Sequence, residues 1–231
     1  MAWDRFPRDG VLAGGRPVVA FFDLDRTLVP RHTALLYLRL MVRDRQESPW
    51  TLLRAASYLL LYFFNLVDME RVAREAVRRG AGLREDEVRA RGQRCVAEEV
   101  VPALSREALA AVTWHREQGH HVCLVTATPD HLAGPLATHL GMGNLCTRLE
   151  AREGVLTGEI DGTFCCGAGK VALARPYALA RGALLADCWF YSDSGSDLPL
   201  LEAVGHPVAV NADPLLRRVA RARGWPLRRF T

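Results

Sequence analysis

Two carboxylates two residues apart, Asp23 and Asp25, close an apolar run in the stretch Phe21-Phe22-Asp23-Leu24-Asp25-Arg26-Thr27-Leu28. Residues 17–22 have the bounded apolar pattern of a short buried strand. On a strand, side chains i and i+2 share a face. If the strand geometry breaks just after Asp23, the two carboxylates can approach one ligand from different sides. Like charges so close are costly unless a cation or a shared proton offsets them. A nucleophilic carboxylate, a metal and a neighbouring acid/base are the parts that phosphoryl transfer needs. The plain alternative is a solvated turn, since Asp and Thr are common after strands. Segments further along the chain decide between the two.

The elements that must position these groups fall into two kinds. After the first strand comes a helical region: residues 34–42, 50–67, 69–80 and 84–101 carry helical periodicity or strong helix formers. Ser48-Pro49 and Gly80-Ala81-Gly82 punctuate them, and no strand pattern occurs before His121. This reads as a helical insertion of roughly seventy residues. Helix and strand alternate from Ser105 onward. A helix over 105–118 ends at Gly119, a strand follows over 121–125, and a helix over 130–139 ends at Gly141. Residues 145–150 and 155–160 form a small extended excursion around Glu153-Gly154. A helix from Lys170 meets Pro176, which should kink or restart it. A strand over 188–191, a short helix from Leu198 and a strand over 207–210 come next, and Asp213-Pro214 supplies an N-cap and first-turn proline for a last helix to Arg223.

Alternating buried strands and helices argue for an α/β fold with a doubly wound, Rossmann-like parallel sheet and a helical cap domain inserted after the first strand. The expected division is a core of residues 1–30 and 103–231 and a cap of residues 31–102. Ligands in such sheets bind beyond the carboxyl ends of the strands. Asp23, Thr126 and Asp193 each lie at or just past one.

Composition narrows the partners. The 231 residues are about half apolar and a quarter charged, with a net charge of +4, the profile of a globular protein with a sizeable core. That mild excess of base, without a clustered stripe, excludes a nucleic-acid partner. Two local basic stretches, 71–94 and 217–229, alternate with acidic or apolar residues and read first as solvated helix faces; anionic substrates or acidic lipid headgroups are the second reading. Six scattered cysteines include no Cys-x-x-Cys pair, and several sit in apolar runs as small hydrophobes. His115, His120, His121 and His131 lack zinc-protease spacing. Residues 1–15 contain no apolar stretch of signal-peptide kind. A cytoplasmic location is expected. Residues 55–67 carry no charge and are apolar nearly all round, too short for a bilayer span of about 20 residues. A packed helix is the first reading, and peripheral membrane contact through 50–67 is the second.

Four motifs occur in order: Asp23-Leu24-Asp25-Arg26-Thr27, Leu124-Val125-Thr126-Ala127-Thr128, Gly167-Ala168-Gly169-Lys170, and Tyr191-Ser192-Asp193-Ser194-Gly195-Ser196-Asp197-Leu198-Pro199. A nucleotide-binding P-loop is excluded, because Phe164 and Val171 stand where Gly and Ser/Thr are needed. The four motifs resemble the haloacid dehalogenase superfamily, specifically its phosphoserine phosphatase-like phosphohydrolases, over residues 17–223. That branch places its cap between the first and second motifs. The resemblance implies Asp23 as the nucleophile and Asp25 as the acid, then base. It implies Mg2+ held by the Asp23 carboxylate, the Asp25 carbonyl and Asp193, with Asp197 in the outer shell. It further implies Thr126 on a phosphoryl oxygen and Lys170 as counter-charge. Thr27, His32, Ala127 and Ser196 complete the expected substrate contacts. The acid/base Asp25 favours phosphate-ester hydrolysis over carbon–halogen cleavage.

The pattern departs from that branch at two positions. His32 stands where phosphoserine phosphatases usually carry a substrate-binding glutamate, and an imidazole cannot do a carboxylate's work toward an ammonium group. Ser196 replaces a common asparagine. The expected function is therefore Mg-dependent hydrolysis of a small phosphorylated metabolite through an aspartyl-phosphate. The alternatives are a lysophospholipid-type substrate at a membrane surface, phosphotransfer to another acceptor, and a non-catalytic phosphate- or membrane-binding module.

Overall fold

The computed structural model describes residues 17–45, 48, 50, 53 and 69–231. The N-terminal segment 1–15, the apolar segment 55–67 and most of the helix expected over 50–67 lie outside them. No helix among the described residues is long and apolar enough to cross a membrane.

The strand that leads to Asp23 is β1 (Val19–Phe22), and all four of its residues are buried. Ala20 and Phe22 point into one apolar core while Val19 and Phe21 point into a second. A strand covered on both faces reads as an unbroken apolar run, as this one does. Around it are β2 (His121–Pro129), β3 (Gly143–Arg152), β4 (Val155–Asp161), β5 (Trp189–Ser192), β6 (His206–Val210) and β7 (Leu227–Arg228), in the order β4-β3-β2-β1-β5-β6-β7. Every pairing is parallel except the antiparallel β3–β4 hairpin.

The sheet grows outward from β1 through β2 to β3 and then restarts on the other flank with β5. β1 and β5 therefore border the topological switch point, where open α/β sheets have their ligand crevice. One face is covered by α1 (Thr33–Arg43), α4 (Arg106–Glu117) and α5 (Asp130–Leu140). The other is covered by α6 (Ala168–Leu179), α7 (Leu198–Ala203) and α8 (Pro214–Arg223).

The stretch between β1 and β2 is helical, with α1 followed by α2 (Met69–Arg78) and α3 (Glu85–Cys95). The single helix expected over 84–101 changes type: a π-helical turn, Val96–Val100, and a 3-10 turn, Val101–Ala103, follow α3. Pro102 has no N–H to donate and its ring crowds the carbonyl one turn earlier, so a regular α-helix cannot continue. The opposite correction applies to Pro176, which lies inside an unbroken α6. Near a helix end the loss of one backbone bond is tolerated.

The extended excursion expected around Glu153-Gly154 is a hairpin whose two turn residues have φ of 50° and 76°, the left-handed pair of a tight hairpin turn. It also reaches the helical insertion. Glu85 N donates to Gly154 O at 2.9 Å, and Leu156 N donates to Leu83 O at 2.9 Å. α3 crosses α5 so closely that a Cβ on Gly92 would lie 2.0 Å from the His131 carbonyl oxygen. The two-residue β7 has no sequence signature, being too short to show alternation.

Candidate active site

Two of the expected carboxylates stand where a strand gives out. Asp23 is the first residue beyond β1, and its N–H still donates to Tyr191 O at 2.9 Å, as if the ladder continued. Asp193 follows β5 directly, and its carbonyl accepts from Asp213 N at 2.8 Å. Both side chains are buried. Strand pairing thus brings two carboxylates from distant parts of the chain to the mouth of one crevice.

Lys170 connects this pair to the fourth motif. Its Nζ donates to Asp23 Oδ1 at 2.8 Å and to Asp197 Oδ2 at 2.7 Å. Ser192 Oγ donates to the same Asp197 oxygen at 2.6 Å. Lys170 is 3% exposed and Asp197 2%, so these contacts are made away from water. Burial disfavours the ammonium, yet the Asp197 and Asp23 carboxylates outweigh it and hold Lys170 well above the ordinary lysine value. Two glycines set this lysine's place. Gly167 precedes α6 with φ 52° and ψ −121°, a conformation open in practice to glycine alone. A Cβ on Gly169 would lie 1.9 Å from Phe164 O.

Asp25 lies in the turn between β1 and α1. Thr33 N, in the first turn of α1, donates to Asp25 Oδ1 at 2.7 Å, and His32 Nδ1 is 3.9 Å from Oδ2. The helix N-terminus therefore fixes how this carboxylate is presented. Thr33 Oγ1 also meets Thr128 Oγ1 at 3.3 Å, tying α1 to the end of β2. Thr126 is buried, and its Oγ1 accepts from Thr128 N at 3.1 Å. β2 extends beyond the expected 121–125 to Pro129, but its pairing with β3 loses register after Thr126. Ala127 is partly exposed beside it. Ser196 is partly exposed and its hydroxyl engages Ser194 Oγ at 3.0 Å.

Thr27, expected among the substrate contacts, is 0% exposed and its hydroxyl has no hydrogen-bond partner. Asp197, expected in an outer metal shell, accepts from Lys170 and Ser192.

Three participants escape a reading of the motifs alone. Arg26, between the two motif acids, has a φ of 57°, and its Nε lies 3.4 Å from Asp193 Oδ2. Asn211, itself left-handed with φ 46°, donates to the Arg26 carbonyl at 2.8 Å and holds the turn in place. Asp213 caps α8 through Leu216 N at 2.7 Å, as its sequence position foretells, but its other oxygen accepts from Gly195 N at 2.7 Å and pins the fourth-motif loop. Arg26 lies within the first motif; only its partner was illegible.

The electrostatics are those of a site built for a cation. Burial pushes Asp23 up to about 7; Lys170 opposes this, while Asp197 and Asp25 add to it. Burial first, then Asp23, drives Asp193 well above the ordinary carboxylate range, against the pull of Arg26. Among the described residues, the four carboxylates Asp23, Asp25, Asp193 and Asp197 are faced by two permanent cations, Lys170 and Arg26. If all four were ionised they would exceed the two cations by two charges, which a divalent ion would neutralise. The donors are all oxygens, which suits a hard cation. No group of three His, Cys, Asp or Glu side chains among the described residues is placed to hold a metal. The fit is to an ion that takes two carboxylates and a carbonyl and leaves its other positions to water and phosphoryl oxygens.

Two buried carboxylates beyond the strand ends that flank the switch point, with an enclosed lysine against the leading one, form the candidate site. The sequence profile of the haloacid dehalogenase-like hydrolases matches residues 20–202, a span from β1 into α7. A phosphoserine phosphatase of Mycobacterium tuberculosis is 34% identical over 216 residues, covering 91% of this chain and 70% of its own length. A histidinol-phosphatase of Neisseria meningitidis is 27% identical over 218 residues, covering 92% and 98%. A crystal structure of a protein from Bordetella pertussis superimposes with a TM-score of 0.79 at 33% identity, over 92% of this chain and 98% of that one. The chain belongs to the haloacid dehalogenase-like hydrolase family, and within it to the phosphohydrolases.

Proposed function

We propose that this phosphohydrolase releases phosphate from a small phosphomonoester in two displacements on Asp23. The enclosed Asp23–Lys170–Asp197 chain is the observation that carries this reading. Lys170 leaves one oxygen of Asp23 occupied and holds the side chain in a single orientation, which presents the other oxygen to the substrate. That oxygen attacks phosphorus, forming the aspartyl-phosphate as the bond to the leaving alcohol breaks. Asp25 donates a proton to the departing oxygen. It then takes a proton from water, whose oxygen attacks phosphorus, breaks the acyl-phosphate bond and restores the Asp23 carboxylate with release of orthophosphate. Thr126 offers a hydroxyl to the phosphoryl group. Mg2+, held by Asp23, Asp193 and the Asp25 carbonyl, would supply charge neutralisation on the phosphoryl oxygens.

Residues 31–102 are proposed to form a cap over a core of 1–30 and 103–231, closing the leaving-group step to bulk water. His32 and Ser196 are proposed to contact the substrate. The named relatives act on phosphoserine or histidinol phosphate. An imidazole next to Asp25, in place of a carboxylate, favours a leaving group that carries no ammonium needing a counter-charge.

The test is Mg-dependent phosphate release from a panel of phosphoserine, histidinol phosphate, sugar phosphates and lysophosphatidate, with Asp23→Asn alongside. Release from a small ester that disappears in Asp23→Asn, by at least about a thousandfold, is the expected outcome. Release only from lysophosphatidate, or full activity in Asp23→Asn, would overturn the reading.

A further inference from the structure

Arg26 occupies a backbone conformation that its residue type does not favour. Its φ of 57° lies in the left-handed region, which is costly for a residue with a Cβ and persists only where surrounding contacts fix it. Those contacts come from the far end of the chain. Asn211, one residue beyond β6, donates from its side-chain amide to the Arg26 carbonyl at 2.8 Å. Its own main-chain carbonyl accepts from Arg26 Nη2 at 3.0 Å. Asn211 is held in turn by Phe230: Nδ2 donates to Phe230 O at 2.7 Å, and Phe230 N donates to Oδ1 at 3.1 Å. Phe230 is buried, so the C-terminal segment anchors this clamp in the core.

The clamp aims a charge. With its main chain and Nη2 both engaged by Asn211, the guanidinium brings Nε to 3.4 Å from Asp193 Oδ2. The two side chains are 26% and 11% exposed, so solvent ions screen the pair less than they would a surface pair. For a metal ion at Asp193 the contact has two opposed effects. Holding the carboxylate in one rotamer favours binding, by no more than the small entropy of a short side chain. A permanent positive charge in contact with a ligand carboxylate repels a divalent ion, and at such short range in a poorly screened site the repulsion is the larger effect. Without Arg26, the excess of two negative charges over the four ionised carboxylates and two cations becomes three.

We propose that Arg26 is a positioning residue that sets the metal affinity of the site. It offsets part of the carboxylate charge while the metal is away, and it weakens the hold on Mg2+ enough to keep the ion exchangeable. The assignment rests on the reading of Asp23, Asp193 and the Asp25 carbonyl as the Mg2+ ligands. A guanidinium suits the task because it stays charged in proteins, so the effect is constant with pH.

Mg2+ is titrated calorimetrically into the metal-free full chain, as wild type and as Arg26→Met, and each protein is melted in EDTA and in saturating Mg2+. Methionine meets the same backbone strain as arginine, so the comparison isolates the charged head. Arg26→Met should bind Mg2+ at least about tenfold more tightly than wild type. It should melt below wild type in EDTA, and the gap should narrow in saturating Mg2+. Arg26→Gln, neutral but still able to donate to Asn211 O, gives the same readout should the methionine variant not fold. Equal or weaker Mg2+ binding by the neutral variants would overturn the proposal. So would an equal deficit in melting temperature with and without Mg2+, which would leave Arg26 a purely structural role. Mg2+ binding absent from wild type would overturn the metal reading as well, and that outcome separates the two failures.

Discussion

Lys170 is the residue on which most of the site's electrostatics converge. It sits against two carboxylates at 2.7–2.8 Å and is almost wholly enclosed, and a buried pair broken on one side leaves an uncompensated charge on the other. Lys170→Met should therefore lower phosphate release by roughly 100- to 1,000-fold and cost about 3–5 kcal/mol in urea unfolding. A variant that loses activity at full stability would show that the lysine acts only on the substrate. At this scale the motifs already name Asp23, Asp25, Thr126, Lys170 and Asp193, because each residue type has few chemical uses at such spacing. They do not name the partner of Arg26, nor the burial of Thr27. Those depend on how one loop is folded against another, and a residue's type carries no record of its neighbour in space.

At the scale of elements, two termini carry predictions. Gly167 leads into α6 at φ 52°, ψ −121°, and Gly167→Ala must either strain this turn or displace Lys170. The expected cost is about 1–3 kcal/mol in chemical denaturation, with a fall in kcat. Full activity would show that the turn can be remade around a side chain. At the start of α4, Glu107 accepts from Thr231 N at 3.2 Å, Thr231 Oγ1 at 3.0 Å and Ser105 Oγ at 2.9 Å. Backbone hydrogen bonds, its own N–H first and that of Thr231 second, pull its carboxyl down to about 2 from the usual 4.5. A lowered folded value stabilises above the unfolded one and is lost as pH falls through the folded one. Glu107→Gln should melt below wild type at pH 7, and the gap should close between about pH 4.5 and 2; a gap independent of pH would remove the charge from the explanation. The sequence announces these helices through Ser105, Asp213-Pro214 and Gly141, since caps and periodicity are local. It misjudges Pro176 and the helix after Cys95, where tolerance depends on distance from a helix end.

At the scale of the molecule, the excess of buried carboxylate should couple folding to a cation. Mg2+ at a hundredfold excess over its Kd should add about 2.7 kcal/mol, read as a rise of several degrees in melting temperature. EDTA should reverse it and Asp193→Asn abolish it. A shift that survives in Asp193→Asn would place the ion elsewhere. What the sequence alone determined was the chemistry and its order along the chain: an apolar strand ending in Asp23, a helical insertion, a second strand ending near Thr126, a lysine behind two glycines, and a third strand ending in Asp193. All of these are written in local composition and period. Only the tertiary structure decided that β5 lies beside β1, that Arg26 turns back onto Asp193, and that the hairpin reaches residues 82–85. The physical reason is that strand order is settled by pairing between distant segments. The free energy of that pairing comes from two cores buried at once, and no single stretch of chain contains either of them.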